Sequence, residues 1–201
     1  MEKLVRQLKL NGVLQDKDIA RAFLEVDRAD FIPEQLQGSA YSDQALPIGE
    51  GQTISQPTVV AFMLGLLALK PGDKIMDIGA GSGWQTALLA KIVGEKGRVY
   101  AMEIIPELCE QAQKNLAKYN FENIEFFCQN ARQGLPELAP FDGIITGASG
   151  EEIPKAWKEQ LKIGGRIVAP VGDSIFRYIK KSNKKFAVEE YPGFVFVPLV
   201  K

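Results

Sequence analysis

Residues 74–90 read Lys74-Ile75-Met76-Asp77-Ile78-Gly79-Ala80-Gly81-Ser82-Gly83-Trp84-Gln85-Thr86-Ala87-Leu88-Leu89-Ala90. The stretch begins as a short apolar strand, turns through three glycines at alternate positions, and continues into residues that form helices readily. A strand, a glycine turn and a helix start, in that order, build a binding site for a nucleotide-like ligand. The glycines allow a sharp turn and bring the backbone close to the ligand.

The spacing of the glycines narrows the choice of ligand. Dinucleotide-binding loops follow G-x-G-x-x-G/A, and the large Trp84 stands where that pattern needs its third small residue. The glycines here follow G-x-G-x-G, and the G-K-[ST] of a P-loop is absent. The loop therefore favours a mononucleotide-like ligand without a pyrophosphate, with S-adenosylmethionine as the leading candidate. A glycine-rich turn that binds nothing is the alternative.

The composition suits one globular domain of 201 residues, with 46% hydrophobic and 24% charged residues. The net charge of -1 gives no reason to expect a nucleic acid or an anionic membrane as partner. The chain has no histidine, which excludes Ser-His-Asp catalysis, His-ligated zinc and a histidine general base. If the protein is an enzyme, its chemistry needs no imidazole.

The two cysteines and the apolar segments indicate the cellular compartment in which we expect the protein. Cys109 and Cys128 lack metal or redox spacing, so we expect no metal and the reduced thiols of a cytoplasmic protein. The first residues carry mixed charges and no apolar region, so we expect no signal peptide. The longest apolar run, residues 59–69, is too short to span a bilayer.

The first third of the chain divides into helices and one long irregular segment. Apolar spacing predicts two helices in residues 1–30, the first ended by Asn11-Gly12 and the second begun by Asp16. Residues 38–57 show neither helical nor strand periodicity. Long loops in compact chains are usually functional, so we interpret this one as a binding loop, with a structural arm as the alternative. A helix is expected over residues 57–69.

From residue 74 onward, strands alternate with helices. Predicted strands lie at residues 74–78, 98–103, 124–128, 141–146 and 166–171. This alternation predicts an α/β fold with a parallel sheet and right-handed crossovers. Beyond residue 172 we expect strands at residues 175–181 and 194–200, which predict an antiparallel edge. The lysine-rich residues 180–185 are interpreted as a solvated turn.

Two carboxylates stand at strand ends where an open α/β sheet binds its ligand. Glu103 ends the second predicted strand, a little over twenty residues beyond Gly79, which suits a carboxylate that accepts hydrogen bonds from ribose hydroxyls. A surface glutamate is the alternative. Asp77 lies at the carboxyl end of the first strand. Its carboxylate is a candidate to pair with the ammonium of a methionyl group, and capping of the glycine turn is the alternative role, which is compatible with the first.

Ser55 is the hydroxyl of most interest, because it precedes the predicted helix start at Pro57 and lies among polar residues. Helix N-termini attract anions through their unpaired backbone N–H groups, so Thr53, Ser55 and the neighbouring amides are candidates to hold a carboxylate. Ser55 acting only as a helix cap is the alternative.

The chain resembles the protein-L-isoaspartate O-methyltransferase family over nearly its whole length. The most specific matching block is Gly51-Gln52-Thr53-Ile54-Ser55-Gln56-Pro57. Other matches are Val26-Asp27-Arg28-Ala29-Asp30-Phe31-Ile32-Pro33, Ala40-Tyr41-Ser42-Asp43, the glycine loop with Gln85-Thr86-Ala87, Ala139-Pro140-Phe141-Asp142, Gln160-Leu161-Lys162-Ile163-Gly164-Gly165-Arg166 and Phe194-Val195-Phe196-Val197-Pro198-Leu199.

The resemblance implies a Rossmann-like methyltransferase in a single domain over residues 1–201. An N-terminal helical cap and substrate loop would occupy residues 1–57, and the Rossmann-like core would occupy residues 58–201. It implies S-adenosylmethionine as donor, S-adenosylhomocysteine as product, and the carboxylate of L-isoaspartyl residues in peptides and proteins as acceptor. A carboxylate is already ionised at neutral pH, which agrees with a chain that lacks histidine.

The resemblance also implies roles for individual residues. Ser55 is the implied catalytic residue, and Thr53, Ile54, Gln56 and Val197 are the implied substrate-binding residues. The implied donor-binding residues are Asp77, Gly79, Ala80, Gly81, Gly83, Glu103, Ile104, Asn130 and Ala131. No metal ligand is implied.

One departure from the family pattern concerns the adenine site. After the third strand, the family has Gly-Asp followed by Gly or Ala, whereas this chain has Cys128-Gln129-Asn130-Ala131. Asn130 keeps one acceptor oxygen and loses the charge, which predicts weakened adenine recognition.

Two alternative functions stay open. One is the same fold and donor acting on a peptide aspartate or RNA, and the other is a non-catalytic relative that binds without transferring a methyl group.

Overall fold

The computed structural model describes residues 1–200. The helices are α1 Glu2–Leu10, α2 Lys17–Glu25, α3 Pro57–Leu67, α4 Trp84–Val93, α5 Pro106–Leu116 and α6 Lys155–Gln160. The strands are β1 Leu46–Gly49, β2 Gln52–Ile54, β3 Lys74–Ile78, β4 Arg98–Glu103, β5 Ile124–Cys128, β6 Phe141–Thr146, β7 Leu161–Val171, β8 Ser174–Ser182 and β9 Lys185–Pro192. Short 3-10 helices lie at Arg28–Phe31, Glu34–Ser39, Ala117–Tyr119 and Pro136–Leu138.

The main sheet has seven strands in the order β5-β4-β3-β6-β7-β8-β9. Strands β3 to β7 pair in parallel, and β8 and β9 add an antiparallel edge, as the sequence predicted. The chain runs outward from β3 through β4 to β5 and then returns to place β6 on the other side of β3. This reversal creates a switch point, and ligands of open α/β sheets bind outside the carboxyl ends of the strands there.

The period of two along the strands divides the core between the two faces of the sheet. Ile75 belongs to the larger apolar cluster, which also contains buried side chains of α1 to α5. Met76 and Ile78 belong to a second cluster on the opposite face, together with Trp157 of α6. Asp77 has the same parity as Ile75, and its side chain therefore faces α4.

The N-terminal region forms the two helices that the sequence predicted. Asp16 caps α2, since its carboxylate accepts from the N–H groups of Asp18 and Ile19 at 2.8 and 3.0 Å. The helix packs on the main body through Phe23, whose ring meets Trp84 edge-on with centroids 5.3 Å apart. This contact places the N-terminal helices beside the glycine loop.

Two segments differ from the sequence-based expectation. Part of the predicted loop at residues 38–57 is a small antiparallel hairpin of β1 and β2, which is too short to produce a clear alternating pattern. The predicted strand at residues 194–200 is wrong, because the last strand of the sheet is β9. Residues 194–200 instead run beside the loop after β6, where Ser149 N–H donates to Val197 O and Leu199 N–H donates to Ser149 O, both at 2.8 Å.

The lysine-rich run also divides differently from the expectation. Lys181 and Lys184 are exposed near the β8–β9 turn. Lys180 is only 5% exposed and donates from Nζ to the carbonyls of Lys158, Glu159 and Leu161 at the end of α6.

No helix within the described part of the chain has the length and apolarity needed to cross a membrane.

Candidate active site

A cavity of about 810 Å³ opens at the carboxyl ends of β3, β4, β5 and β6. Its size lies within the range of small-molecule sites. Its walls include Gly79 and Gly81 of the glycine loop, Glu103 at the end of β4, and Asn130 beyond β5. The cavity therefore lies at the switch point of the sheet, where the sequence places its nucleotide-like site.

The glycine loop is held in a conformation that requires glycine. Gly79, Gly81 and Gly83 have φ angles of 68°, 57° and 93°, in the left-handed region that side chains with a Cβ disfavour. The N–H groups of Gly79 and Ala80 donate to Met102 O at 2.8 and 3.0 Å, which ties the loop to β4. Gly79 and Gly81 line the cavity, whereas Ala80 and Gly83 do not.

Gly83 has a packing role that the sequence analysis did not separate from ligand binding. A Cβ at this residue would lie 3.2 Å from Leu116 Cγ and 3.4 Å from Ala112 Cβ. Its absence lets the start of α4 approach α5 closely. The third glycine of the motif thus supports helix packing, and the first two form the cavity wall.

Glu103 is buried to 6% exposure and lines the cavity, as expected from its position at the end of β4. Its Oε2 accepts from Gly81 N–H at 2.9 Å, and its Oε1 accepts from the N–H groups of Ile104 and Ile105 at 2.7 and 3.1 Å. These bonds join the glycine loop to the segment after β4. Two carboxylate oxygens accept about four hydrogen bonds, so Oε2 keeps capacity for a hydroxyl in the cavity.

Asp77 is fully buried and does not line the cavity. Its oxygens accept from Gln85 Nε2 at 2.7 Å and from Thr86 Oγ1 at 2.6 Å, both on α4. Burial raises the pKa of Asp77 to about 6, while the bonds from Thr86 and Gln85 oppose that shift. Because Asp77 is fully buried and does not line the cavity, this geometry favours the role of holding the glycine turn against α4 over direct pairing with a ligand ammonium.

Asn130 and Ala131 line the cavity, as does Ile104. The side-chain oxygen of Asn130 accepts from Arg132 N–H at 2.8 Å. That bond uses one lone pair of the amide oxygen, so the side chain keeps one acceptor site and its NH₂ donors for a ligand. Where an aspartate would offer a charged acceptor, this chain offers a neutral one.

The segment around Ser55 lies between β2 and α3. Thr53 lines the cavity, whereas Ile54 faces the core with 5% exposure. Ser55 and Gln56 do not line the cavity. The carbonyl of Ser55 accepts from Arg28 Nη2 at 3.2 Å, and Gln56 is the N-cap of α3.

The start of α3 is capped by Asp43, so the alternative in which Ser55 acts only as the helix cap is wrong. Asp43 Oδ1 accepts from Thr58 N–H at 2.8 Å, and its Oδ2 accepts from Thr58 Oγ1 at 2.6 Å. Ser55 is not the cap, and the anion at the helix start is the protein's own carboxylate.

Several cavity residues were missed by the sequence analysis. Gly147, Ala148 and Ser149 follow β6 and line the cavity together with Gln52. The rule that ligands bind at the carboxyl ends of strands would have identified the first three. The C-terminal residues Phe196, Val197, Pro198, Leu199 and Val200 also line the cavity, and of these only Val197 was expected to be a site residue. Within residues 1–200, no cluster of three or more His, Cys, Asp or Glu side chains is placed to hold a metal ion.

Relatives of known family match the chain along its whole length. The family model for protein-L-isoaspartate(D-aspartate) O-methyltransferase matches residues 1–201. A protein-L-isoaspartate O-methyltransferase of Methanococcus aeolicus is 44% identical over 202 residues, covering 100% of this chain and 94% of the relative. The enzyme of Pyrococcus horikoshii is 39% identical over 204 residues, covering 99% and 92%.

Solved structures agree with the sequence relatives. One protein-L-isoaspartate O-methyltransferase superposes with a TM-score of 0.92 at 31% identity, covering 100% of this chain and 66% of that chain. A Plasmodium falciparum beta-aspartate methyltransferase, solved in complex with S-adenosyl-L-homocysteine, superposes with a TM-score of 0.88 at 27% identity, covering 98% and 97%. These matches confirm the methyltransferase fold. The chain belongs to the protein-L-isoaspartate(D-aspartate) O-methyltransferase family.

Proposed function

We propose that the cavity binds S-adenosylmethionine and that the segment around Ser55 presents the acceptor carboxylate to it. The chain is a methyltransferase that transfers a methyl group from S-adenosylmethionine to the free carboxylate of L-isoaspartyl residues, a reaction of protein repair. The assignments of individual residues are our proposal. So are a single domain over residues 1–201 and a cytoplasmic location, which suits the free thiols of Cys109 and Cys128.

The observation that carries the donor assignment is the position of Glu103 in the cavity wall beside Gly79 and Gly81. A buried carboxylate with a remaining acceptor site suits the vicinal hydroxyls of a ribose. The apolar residues Ile104 and Ile105 adjoin it and suit one face of an adenine ring. The residues present therefore fit this donor, with Asn130 at the adenine edge and Ala131 beside it.

The acceptor assignment is supported by the geometry of the hairpin. Alternate residues of a strand share a face, and Thr53 is on the cavity side of β2 while Ile54 is on the core side. Ser55 follows Thr53 by two residues and is not used as a helix cap. We propose that its hydroxyl orients the acceptor carboxylate, with Thr53, Gln56 and Val197 around the peptide and Ile54 fixing the hairpin from the core.

The proposed roles account for a reaction without a general base. The donor supplies an electrophilic sulfonium methyl group, which an ionised carboxylate attacks as the carbon–oxygen bond forms and the carbon–sulfur bond breaks. The protein has to align the carboxylate and exclude water from it. Glu103 and the glycine loop hold the nucleoside end in position, and the Ser55 segment positions the oxygen.

The test uses two peptides that differ only in aspartate or isoaspartate at one position, incubated with the protein and methyl-labelled donor. We expect base-labile label on the isoaspartyl peptide alone, because a methyl ester is hydrolysed by base. RNA and the aspartyl peptide serve as alternative acceptors. Label on either of them, or on no acceptor, would contradict the proposal.

A further inference from the structure

We propose that Arg28 is a positioning residue for the methyl transfer, holding the Ser55 segment at a set place relative to the donor loop. The inference rests on the proposed function of the cavity and of Ser55. Arg28 begins the 3-10 helix Arg28–Phe31 and is fully buried. It touches neither the cavity wall nor, in our assignment, the substrate.

The guanidinium of Arg28 joins two chain segments through four backbone carbonyls. Nη1 donates to Ala40 O at 2.8 Å and to Ser42 O at 3.2 Å. Nη2 donates to Gln44 O at 2.8 Å and to Ser55 O at 3.2 Å. One planar group therefore fixes the turn before β1 and the residue after β2 at the same time.

The cost of burying this charge indicates that the geometry of the group matters. Burial lowers the pKa of Arg28 to about 10, while the charge of Asp43 acts in the opposite direction. Asp43 is already bonded to Thr58 at the start of α3, so the same loop is tied to α3 as well. A buried cation is costly unless its donors are satisfied, and the fork of this arginine reaches four carbonyls through Nη1 and Nη2, while its buried Nε–H has no hydrogen-bond partner.

The guanidinium also contacts the part of the site that we assign to S-adenosylmethionine. Its Cζ lies 5.3 Å from the ring centroid of Trp84, the first residue of α4. Trp84 follows Gly83 directly, so this ring is anchored at the end of the glycine loop. The hairpin touches the same loop at a second point, since a Cβ on Gly81 would lie 3.2 Å from Ile48 Cδ1. Arg28 thus links Ser55 to the element that holds the donor.

This placement predicts how a change at Arg28 affects the reaction. Lysine keeps the charge and loses the fork, so the Ser55 segment shifts while the glycine loop and Glu103 stay in place. Because a displacement of about 1 Å can lower a rate ~10²-fold, we expect kcat of Arg28→Lys to fall ~10²-fold. The affinity for S-adenosylhomocysteine should stay within about threefold of the affinity of the native protein, which is less than a tenfold change in Kd.

Arg166→Lys is the matched control. Arg166 Nη1 donates to the carbonyls of Leu67 and Ala68 at 3.0 and 3.2 Å, at the opposite end of α3 from Ser55. The substitution makes the same chemical change next to the same helix, away from the Ser55 segment. We expect it to lower the melting temperature and to leave kcat and KM near native values.

The experiment measures kcat and KM with an isoaspartyl peptide, S-adenosylhomocysteine affinity by calorimetry, and amide hydrogen exchange, below the melting midpoint of each protein. We expect faster exchange over residues 40–56 in Arg28→Lys and not in Arg166→Lys. A native kcat for Arg28→Lys, or equal losses of kcat in both variants, would overturn the proposal.

Native protein provides a measurement that needs no folded variant. We expect the amides of Ala40, Ser42 and Gln44 to exchange about as slowly as those of β3, because Arg28 fixes the turns that protect them. Exchange as fast as in an exposed loop would contradict the inference even if the protein methylates isoaspartate. An inactive native protein with slow exchange here would instead refute the proposed function and leave the structural role of Arg28 standing.

Discussion

Ser55 follows β2 directly, and its hydroxyl is not used to cap α3, since Asp43 does so. We expect Ser55→Ala to lower kcat/KM for an isoaspartyl peptide ~10²-fold, because an unaligned carboxylate loses the benefit of orientation. S-adenosylhomocysteine affinity, measured by calorimetry, should be unchanged. Native kcat/KM would remove Ser55 from the mechanism.

Asn130 presents a neutral amide oxygen where a carboxylate would present a charged acceptor. In Asn130→Asp, one oxygen keeps the bond from Arg132 N–H and the other faces the cavity as a charged acceptor. A hydrogen bond to a charged group is worth about 1 kcal/mol more than a neutral one, so we expect affinity for S-adenosylmethionine to rise about fivefold. Calorimetry that shows equal or weaker binding would argue against the position of adenine at Asn130.

Asp77 predicts a pH dependence of stability. Its pKa rises from the usual 3.8 to about 6 on folding, so between these values the folded state binds more protons than the unfolded state. This contribution to the unfolding free energy therefore falls as pH rises from about 4 to about 6, by on the order of 3 kcal/mol at most. Urea titrations of the native protein and Asp77→Asn should differ by this slope, and parallel curves would contradict the assignment.

At the scale of elements, the glycine loop and the β1–β2 hairpin support each other. Gly81→Ala places a Cβ at a φ of 57° and 3.2 Å from Ile48 Cδ1. The left-handed conformation alone costs about 1–2 kcal/mol. Because the loop must shift to relieve the contact, we expect S-adenosylhomocysteine affinity to fall about tenfold, the equivalent of 1.4 kcal/mol.

Gly12→Ala is the control for Gly81→Ala. Gly12 has a φ of 75°, and a Cβ there meets nothing within 4 Å. We expect this change to lower the stability by a similar amount and to leave the ligand affinity at its native value. If the two variants bind S-adenosylhomocysteine equally well, contact between loop and hairpin does not shape the donor site.

Secondary structure was predictable where apolar periodicity is strong and local. The strands at residues 74–78, 98–103, 124–128 and 141–146 match β3 to β6 in their limits. The hairpin was missed because β1 and β2 have only four and three residues. The last strand was misplaced, since apolar residues 194–200 resemble a strand more than the charged, half-exposed β9 does.

At the scale of the whole molecule, the donor cavity draws its walls from four strand ends, the hairpin and the C-terminal segment. A ligand that bridges these elements should stabilise the fold as a unit. At a free concentration 100 times the Kd, S-adenosylhomocysteine should add about 2.7 kcal/mol of unfolding free energy. For a chain of this length, that corresponds to a rise in Tm of roughly 5–10 °C.

Thermal unfolding with and without S-adenosylhomocysteine checks this expectation. Ser55→Ala should show the same rise as the native protein, because Ser55 is assigned to the acceptor. An unchanged Tm at saturating ligand would contradict the assignment of the cavity to the donor.

The sequence by itself determined the α/β class, the glycine turn, the carboxylate at Glu103 and the family, because these depend on local periodicity and on motifs of adjacent residues. Only the tertiary structure decided that Asp43 caps α3, that α4 occupies both oxygens of Asp77, that residues 196–200 line the cavity, and that Arg28 joins Ser55 to Trp84. Such contacts join residues that belong to different elements of the fold. They depend on how the packed elements meet, which no local pattern encodes.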